Sequence, residues 1–182
     1  MLESPSFLER VSPVTEMVVD AFEFARQQEH REGQIKLADL PRLASVNAEG
    51  ANATGLLKWS LSGSAGRFGH PQLTLLVTVI VRPVCQRCLN PFDLAVASES
   101  VLVLAKDEAE ADKIEEMLGD EEIDVIVGNR EMNLLDLIED EVLLALPLSP
   151  KHEICPDASK LEGLKADKPS PFAVLKDLKR RS

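Results

Sequence analysis

Apolar and polar positions change spacing several times along the chain, and each change marks an element. In "VTEMVVDAFEFARQQE" (14–29), Val18, Phe22 and Ala25 fall on one helical face, which predicts a helix ended by Gly33. "QIKLADL" alternates like a short strand with Ile35 and Leu37 inward, and "ADLPRLAS" reads as a helical turn capped by Asp39, with Pro41 near its start. A β block follows. "ATGLLKWSLSG" (53–63) places Leu57, Trp59 and Leu61 on one side, "GSAGRFGH" (63–70) reads as a glycine-rich hairpin turn, and "QLTLLVTVIVRPV" (72–84) is the strongest strand pattern. "FDLAVASESVLVLA" (92–105) alternates again through Phe92, Leu94 and Val96. The economical arrangement is a mostly antiparallel meander whose two longest strands are joined by the loop between them.

After residue 105 the pattern turns helical and charged. "KDEAEADKIEEMLGDEE" predicts an exposed helix, "IDVIV" a short strand, and Gly128-Asn129 a turn. "NLLDLIEDEVLLALP" (133–147) is the clearest helix: Asn133 is its N-cap with Asp136 three residues on, and Pro147 ends it. Leu134, Leu135, Ile138, Val142 and Ala145 form its apolar set. The remaining residues are rich in Pro, Lys and small polar types and read as a loosely held tail, with "PFAVL" as a docked patch. The expected architecture is therefore α+β: a mostly antiparallel sheet or partly open barrel with a few packed helices. Residues 1–150 form the domain and 151–182 the tail. No internal repeat is visible.

Composition narrows the function. Apolar residues make up 45% of the 182, enough for a core, but aromatics are six Phe, one Trp and no Tyr, few for a base-stacking surface. The net charge of -11 disfavours phosphate backbones and attracts basic proteins. The excess is concentrated: residues 107–141 carry fifteen acids against two bases, whereas residues 160–182 carry seven bases against three acids. The start "MLESPSFLERVSP" lacks the basic and apolar regions of a leader, and no apolar run reaches the roughly 18 residues of a membrane helix. A cytoplasmic protein with reduced thiols and no membrane partner is expected.

The chemistry sits in three cysteines and one histidine. Cys85 and Cys88 share a C-x-x-C loop, and His152 stands three residues before Cys155. Two close pairs on separate loops are how one structural zinc ion ties distant segments together, which makes Cys85, Cys88, His152 and Cys155 candidate ligands. Free packed thiols and a thiol-redox centre are the other readings of the same residues. The redox reading lacks the helix that would follow the first cysteine, because Leu89-Asn90-Pro91 leads into another strand. Asp136, Glu139 and Asp140 form a carboxylate face on the 133–147 helix, read as solvated and as a docking surface for a basic partner. Lys176, Lys179, Arg180 and Arg181 make a basic arm able to touch phosphate. The glycine-rich 63–69 segment joins two strands and lacks a Lys-Ser/Thr ending, so it is no phosphate loop. No nucleophile, base and acid constellation is apparent.

Three segments, "VCQRCLNPF" (84–92), "LLDLIEDEVLLALPLSPKHEIC" (134–155) and "PFAVLKDLKR" (171–180), together resemble the bacterial YceD family of large ribosomal RNA subunit accumulation proteins; "EGQIKLADLPRL" (32–43) is also similar to it. The resemblance implies a role in synthesis, processing or accumulation of 23S ribosomal RNA and in large-subunit assembly, and it implies no defined enzymatic reaction. Some members carry a fuller cysteine cluster after the "LALP" helix, where this chain has His152 and Cys155. With the acidic composition, the leading expectation is a non-catalytic factor that binds a basic ribosomal protein or rRNA-processing factor, with any contact to 23S rRNA indirect. The alternatives are direct rRNA binding through the sheet and tail, and an enzyme that depends on Cys85 or Cys88.

Overall fold

In the computed structural model, residues 17–48, 55–66, 69–119 and 123–156 are described. A five-stranded sheet is its centre. β2 (His30–Lys36), β3 (Leu56–Ala65), β4 (Pro71–Val81) and β5 (Leu94–Ala105) form the expected antiparallel meander. β4 and β5 are the longest strands, and the cysteine loop joins them. The predicted alternation is realised: Leu57, Trp59 and Leu61 on β3 and Leu73, Leu75, Val77, Val79 and Val81 on β4 are all buried on one face. The sheet stays open, with order β2-β3-β4-β5 and a fifth strand, β6 (Asp124–Val127), beside β5, so the partly open barrel gives way to a sheet with two edges.

β6 (Asp124–Val127) departs from the meander, because it pairs with β5 in parallel. A parallel pair needs a crossover, and α3 (Glu108–Leu118) supplies it, capped by Asp107, whose carboxylate accepts from Glu110 N at 2.8 Å. This helix explains why the end of β5 is buried on both faces. Leu102 and Leu104 face the main core, whereas Val103 and Ala105 pack against Ala111 and Ile114 of α3.

The main core is closed by α1 (Ala21–Arg26), α2 (Pro41–Ala44) and α4 (Leu134–Ala145). The N-terminal helix is shorter than its pattern suggests. Val18–Val19 form β1, paired with β7 (Met132–Asn133), and Asp20 caps α1 by accepting from Phe22 N and Glu23 N, each at 3.0 Å. The β-branched Val-Val pair prefers the extended backbone, and the cap starts the helix three residues later than the face containing Val18 requires. Phe24 and Ala25 are buried, while Val18 is exposed. Gly33 does not end a helix; it lies inside β2 opposite Trp59. Leu37 points inward but belongs to a 3-10 turn, Leu37–Asp39, that follows the strand.

Two cap predictions part ways. Asn133 caps α4 as expected, accepting from Leu135 N at 3.0 Å. Asp39 does not cap α2: Leu40 occupies that position and offers no side-chain bond. On α4, Leu134, Ile138 and Val142 are buried, whereas Ala145, at the helix end, is exposed.

Gly63 marks the closest approach of α1 to the sheet. A Cβ there would sit 2.4 Å from Phe24 O and 2.8 Å from Ala25 Cα, and Gly63 N donates to Glu29 O at 2.8 Å. Backbone on both sides leaves no room to yield. Gly63→Ala is expected to cost about 2 kcal/mol and to lower the melting temperature by roughly 5 °C. A thermal melt within about 1 °C of the parent would contradict this.

Candidate metal centre

β4 and β5 run out of register with a simple hairpin after Val81 and Leu94, and the loop between them folds into a knuckle. An isolated bridge, Val84 with Pro91, closes its base. Cys85 N donates to Asn90 O at 2.9 Å, Leu89 N to Cys85 O at 2.9 Å, and Phe92 N to Pro83 O at 3.1 Å. The turn forces Leu89 to φ 61°, a left-handed conformation that glycine normally supplies. The result is a tight loop that presents Cys85 and Cys88 from one turn.

The second half arrives from α4. Pro147 and Pro150 keep the chain from continuing the helix, and the bent segment that follows is held against the knuckle. Gln86 N donates to Pro150 O at 2.8 Å, and the Arg87 guanidinium reaches His152 O at 3.4 Å. The Phe92 ring lies against the His152 ring with centroids 4.6 Å apart. These contacts place His152 and Cys155 over the loop and make residues 151–156 a docked segment; the rest of the predicted tail, with Lys176, Lys179, Arg180, Arg181 and "PFAVL", lies outside the described residues.

Cys85 Sγ, Cys88 Sγ, a ring nitrogen of His152 and Cys155 Sγ all fall within 4.8 Å of one another. Cys85 Sγ is 4.0 Å from Cys155 Sγ, and Cys88 Sγ is 3.4 Å from His152 Nδ1. Sulfurs on a tetrahedral zinc at about 2.3 Å are separated by about 3.8 Å, so the donors stand close to the spacing that ion requires. Three sulfurs and one imidazole nitrogen are also a zinc donor set, and four protein donors leave no open position for a reacting molecule. Cys85 and Cys155 are 0% and 4% exposed. The four residues can therefore hold one metal ion in a closed site.

Electrostatics divides the thiols. Burial pushes the Cys85 thiol up, but the backbone N–H groups of Cys88, Arg87 and His152, with the His152 side chain, outweigh it and bring it down to about 5. Arg87 N and His152 N each approach Cys85 Sγ at 3.4 Å. Such N–H bonds favour a thiolate, the form that binds metal. Cys155 is pushed up to about 11, first by burial and then by the neighbouring Cys88 and Cys85 side chains. A cation among the four would relieve that crowding of sulfur.

The α4 carboxylates separate into different roles. Asp136 accepts from Asn133 Nδ2 at 2.9 Å and is exposed. Asp140 is also exposed and binds Arg42 Nη1 at 2.6 Å. Glu139 corrects the expectation of a wholly solvated face: it is 3% exposed and points into the α2–α4 contact. One of its oxygens accepts from Leu43 N at 2.9 Å and the other from Arg42 Nε at 2.8 Å. Glu139 thus supplies to α2 the N-terminal capping acceptor that Asp39 and Leu40 do not. Sequence reading missed this link because Arg42 and Leu43 lie far away in the chain, and nothing local marks Glu139 as different from Asp136 or Asp140.

A family profile described as "Large ribosomal RNA subunit accumulation protein YceD" matches residues 73–179, which include both halves of the cysteine–histidine cluster. A curated protein of Haemophilus influenzae, "Large ribosomal RNA subunit accumulation protein YceD", is 33% identical over 105 residues. That match covers 53% of this chain and 59% of the relative. No solved structure matches the chain.

Proposed function

The chain belongs to the YceD family of large ribosomal RNA subunit accumulation proteins, and from that premise we propose a non-catalytic factor for 23S rRNA accumulation and large-subunit assembly. It acts by binding a basic ribosomal protein or an rRNA-processing factor. One structural zinc ion, held by Cys85, Cys88, His152 and Cys155, fixes the knuckle to the segment that leaves α4. The ion contributes folding free energy rather than chemistry, because its site exists only when both halves are assembled.

The observation that carries the reading is the placement of charge. Glu108, Asp112, Glu115 and Glu116 on α3 are exposed, as are Asp136 and Asp140 on α4. A surface of this sign repels phosphate and steers basic proteins toward it. Glu139 takes no part in that surface, since it is committed internally.

The test is genetic and biochemical together. In a strain lacking the protein, the parent chain should restore the 23S-to-16S ratio. A variant with Asp112, Glu115 and Glu116 all changed to Lys should fold, with a melting temperature within about 2 °C, because exposed substitutions perturb stability little. It should restore less than about a fifth of the lost 23S rRNA, as expected if like charges now meet across the contact. Full restoration by the folded variant would remove α3 from the function.

A further inference from the structure

Between α3, β6 and α4 runs a groove of about 570 Å³, within the range of about 300–1,000 Å³ usual for binding sites. Leu118, Ile123, Ile126, Leu137 and Leu144 line it. Leu144 is 83% exposed and extends this apolar lining to the surface of α4. The acids of the groove stand on both sides: Glu115 and Asp124 on α3 and β6, Asp140 and Glu141 on α4. An apolar floor between two acidic margins fits an amphipathic segment with bases on both edges of its apolar stripe.

The chain contains such a segment. In "SPFAVLKDLKRRS" (170–182), Ser170 and Pro171 form a helix-start signal. At helical spacing, Val174, Leu178, Leu175 and Phe172 fall in that order around one side, with Lys179 between Leu175 and Phe172 and with Lys176 and Arg181 at the two margins. The intervening residues 157–170 can span up to about 50 Å, ample for a domain with a radius of gyration of about 14 Å. We propose that the groove between α3, β6 and α4 is the docking site of the chain's own Pro171–Arg181 segment. The bound segment covers Leu144 and meets Glu115, so it occupies part of the surface that a basic partner would use. The docking itself does not rest on the proposed function; only this competition does.

Photo-crosslinking in the full chain tests it. Phe172 is replaced by benzoylphenylalanine, the protein is irradiated at low concentration, and the crosslinks are mapped by mass spectrometry. Crosslinks within one chain to residues 115–126 and 137–144 are expected. Leu144→Asp, at an exposed position, should leave the fold intact by circular dichroism and reduce their yield about fivefold or more, since a charge is placed on an apolar contact. Raising the salt concentration should reduce the yield as well. Crosslinks between copies, crosslinks to other surfaces, no crosslinks, or a yield unaffected by Leu144→Asp would overturn the assignment. None of these readouts involves ribosomal RNA, so failure here is distinct from failure of the proposed function.

Discussion

Cys85→Ser should cost the protein its metal and much of its stability. Purified without chelator or a metal-affinity tag, the parent chain is expected to hold about one zinc per chain and the variant less than about a tenth of that. Cys85 is the ligand with the most internal support: it is fully buried and approached by Arg87 N and His152 N. Serine keeps the volume but offers no thiolate, and the ion loses a donor it cannot replace in a closed site. The expected loss is several kcal/mol, seen as a fall of roughly 10 °C in melting temperature. Because the sheet has its own core, the change should be largest near the site, with the core strands losing protection only by the drop in global stability. Hydrogen exchange should quicken most in residues 83–92 and 150–156, and less in the core strands β3 and β4. A variant that melts with the parent and retains zinc would contradict the site; one that loses a catalysed thiol reaction yet keeps zinc and stability would favour the redox reading.

The pH dependence has a definite sign in the metal-free protein. Cys85 is lowered from 9.0 to about 5, so the folded state binds its proton more weakly than the unfolded chain. Its contribution is complete above about pH 9 and disappears as pH falls through about 5. Cys155 acts in the opposite sense: raised from 9.0 to about 11, it favours the folded state below about pH 9, and that contribution is lost as pH rises through about 11. With zinc bound, protons compete for the same donors, so acid should release metal and lower stability together.

The second large effect is expected at Glu139. Glu139→Ala removes the acceptor for Leu43 N and the carboxylate beside Arg42 at once. The orphaned N–H is buried, which costs about 1–3 kcal/mol. Arg42 is 51% exposed, so water can take over its guanidinium and the full penalty of a broken buried pair does not apply. A loss of about 2–3 kcal/mol, or roughly 5–10 °C, is the expected sum. Glu139→Gln keeps a carbonyl acceptor and should lose about half as much, while Asp140→Ala, in the exposed pair, should lose under about 1 kcal/mol. If all three variants melted alike, Glu139 would not be the capping group of α2.

What could be read from the chain follows from the range of each interaction. Alternation on β3 and β4 and the Asn133 cap of α4 depend on neighbours in sequence, and they were legible. The four ligand-type residues were legible for another reason: they comprise every cysteine and sit in two close pairs. The β1–β7 pair joins two-residue strands far apart in the chain, too short to leave a period. β6 looks like any short apolar strand, and its parallel direction is set by the α3 crossover rather than by its own residues. Glu139 lies between acids that remain exposed, so only the packing of α2 on α4 singles it out. Leu89 carries no signal of its left-handed backbone, which the knuckle imposes.

The most direct test of the metal centre is X-ray absorption at the zinc edge of the purified full-length protein. The account predicts about one zinc per chain with three sulfurs at about 2.3 Å and one nitrogen at about 2.0 Å. An oxygen-rich shell, a shell lacking sulfur, or no zinc in protein whose three thiols titrate freely would contradict it.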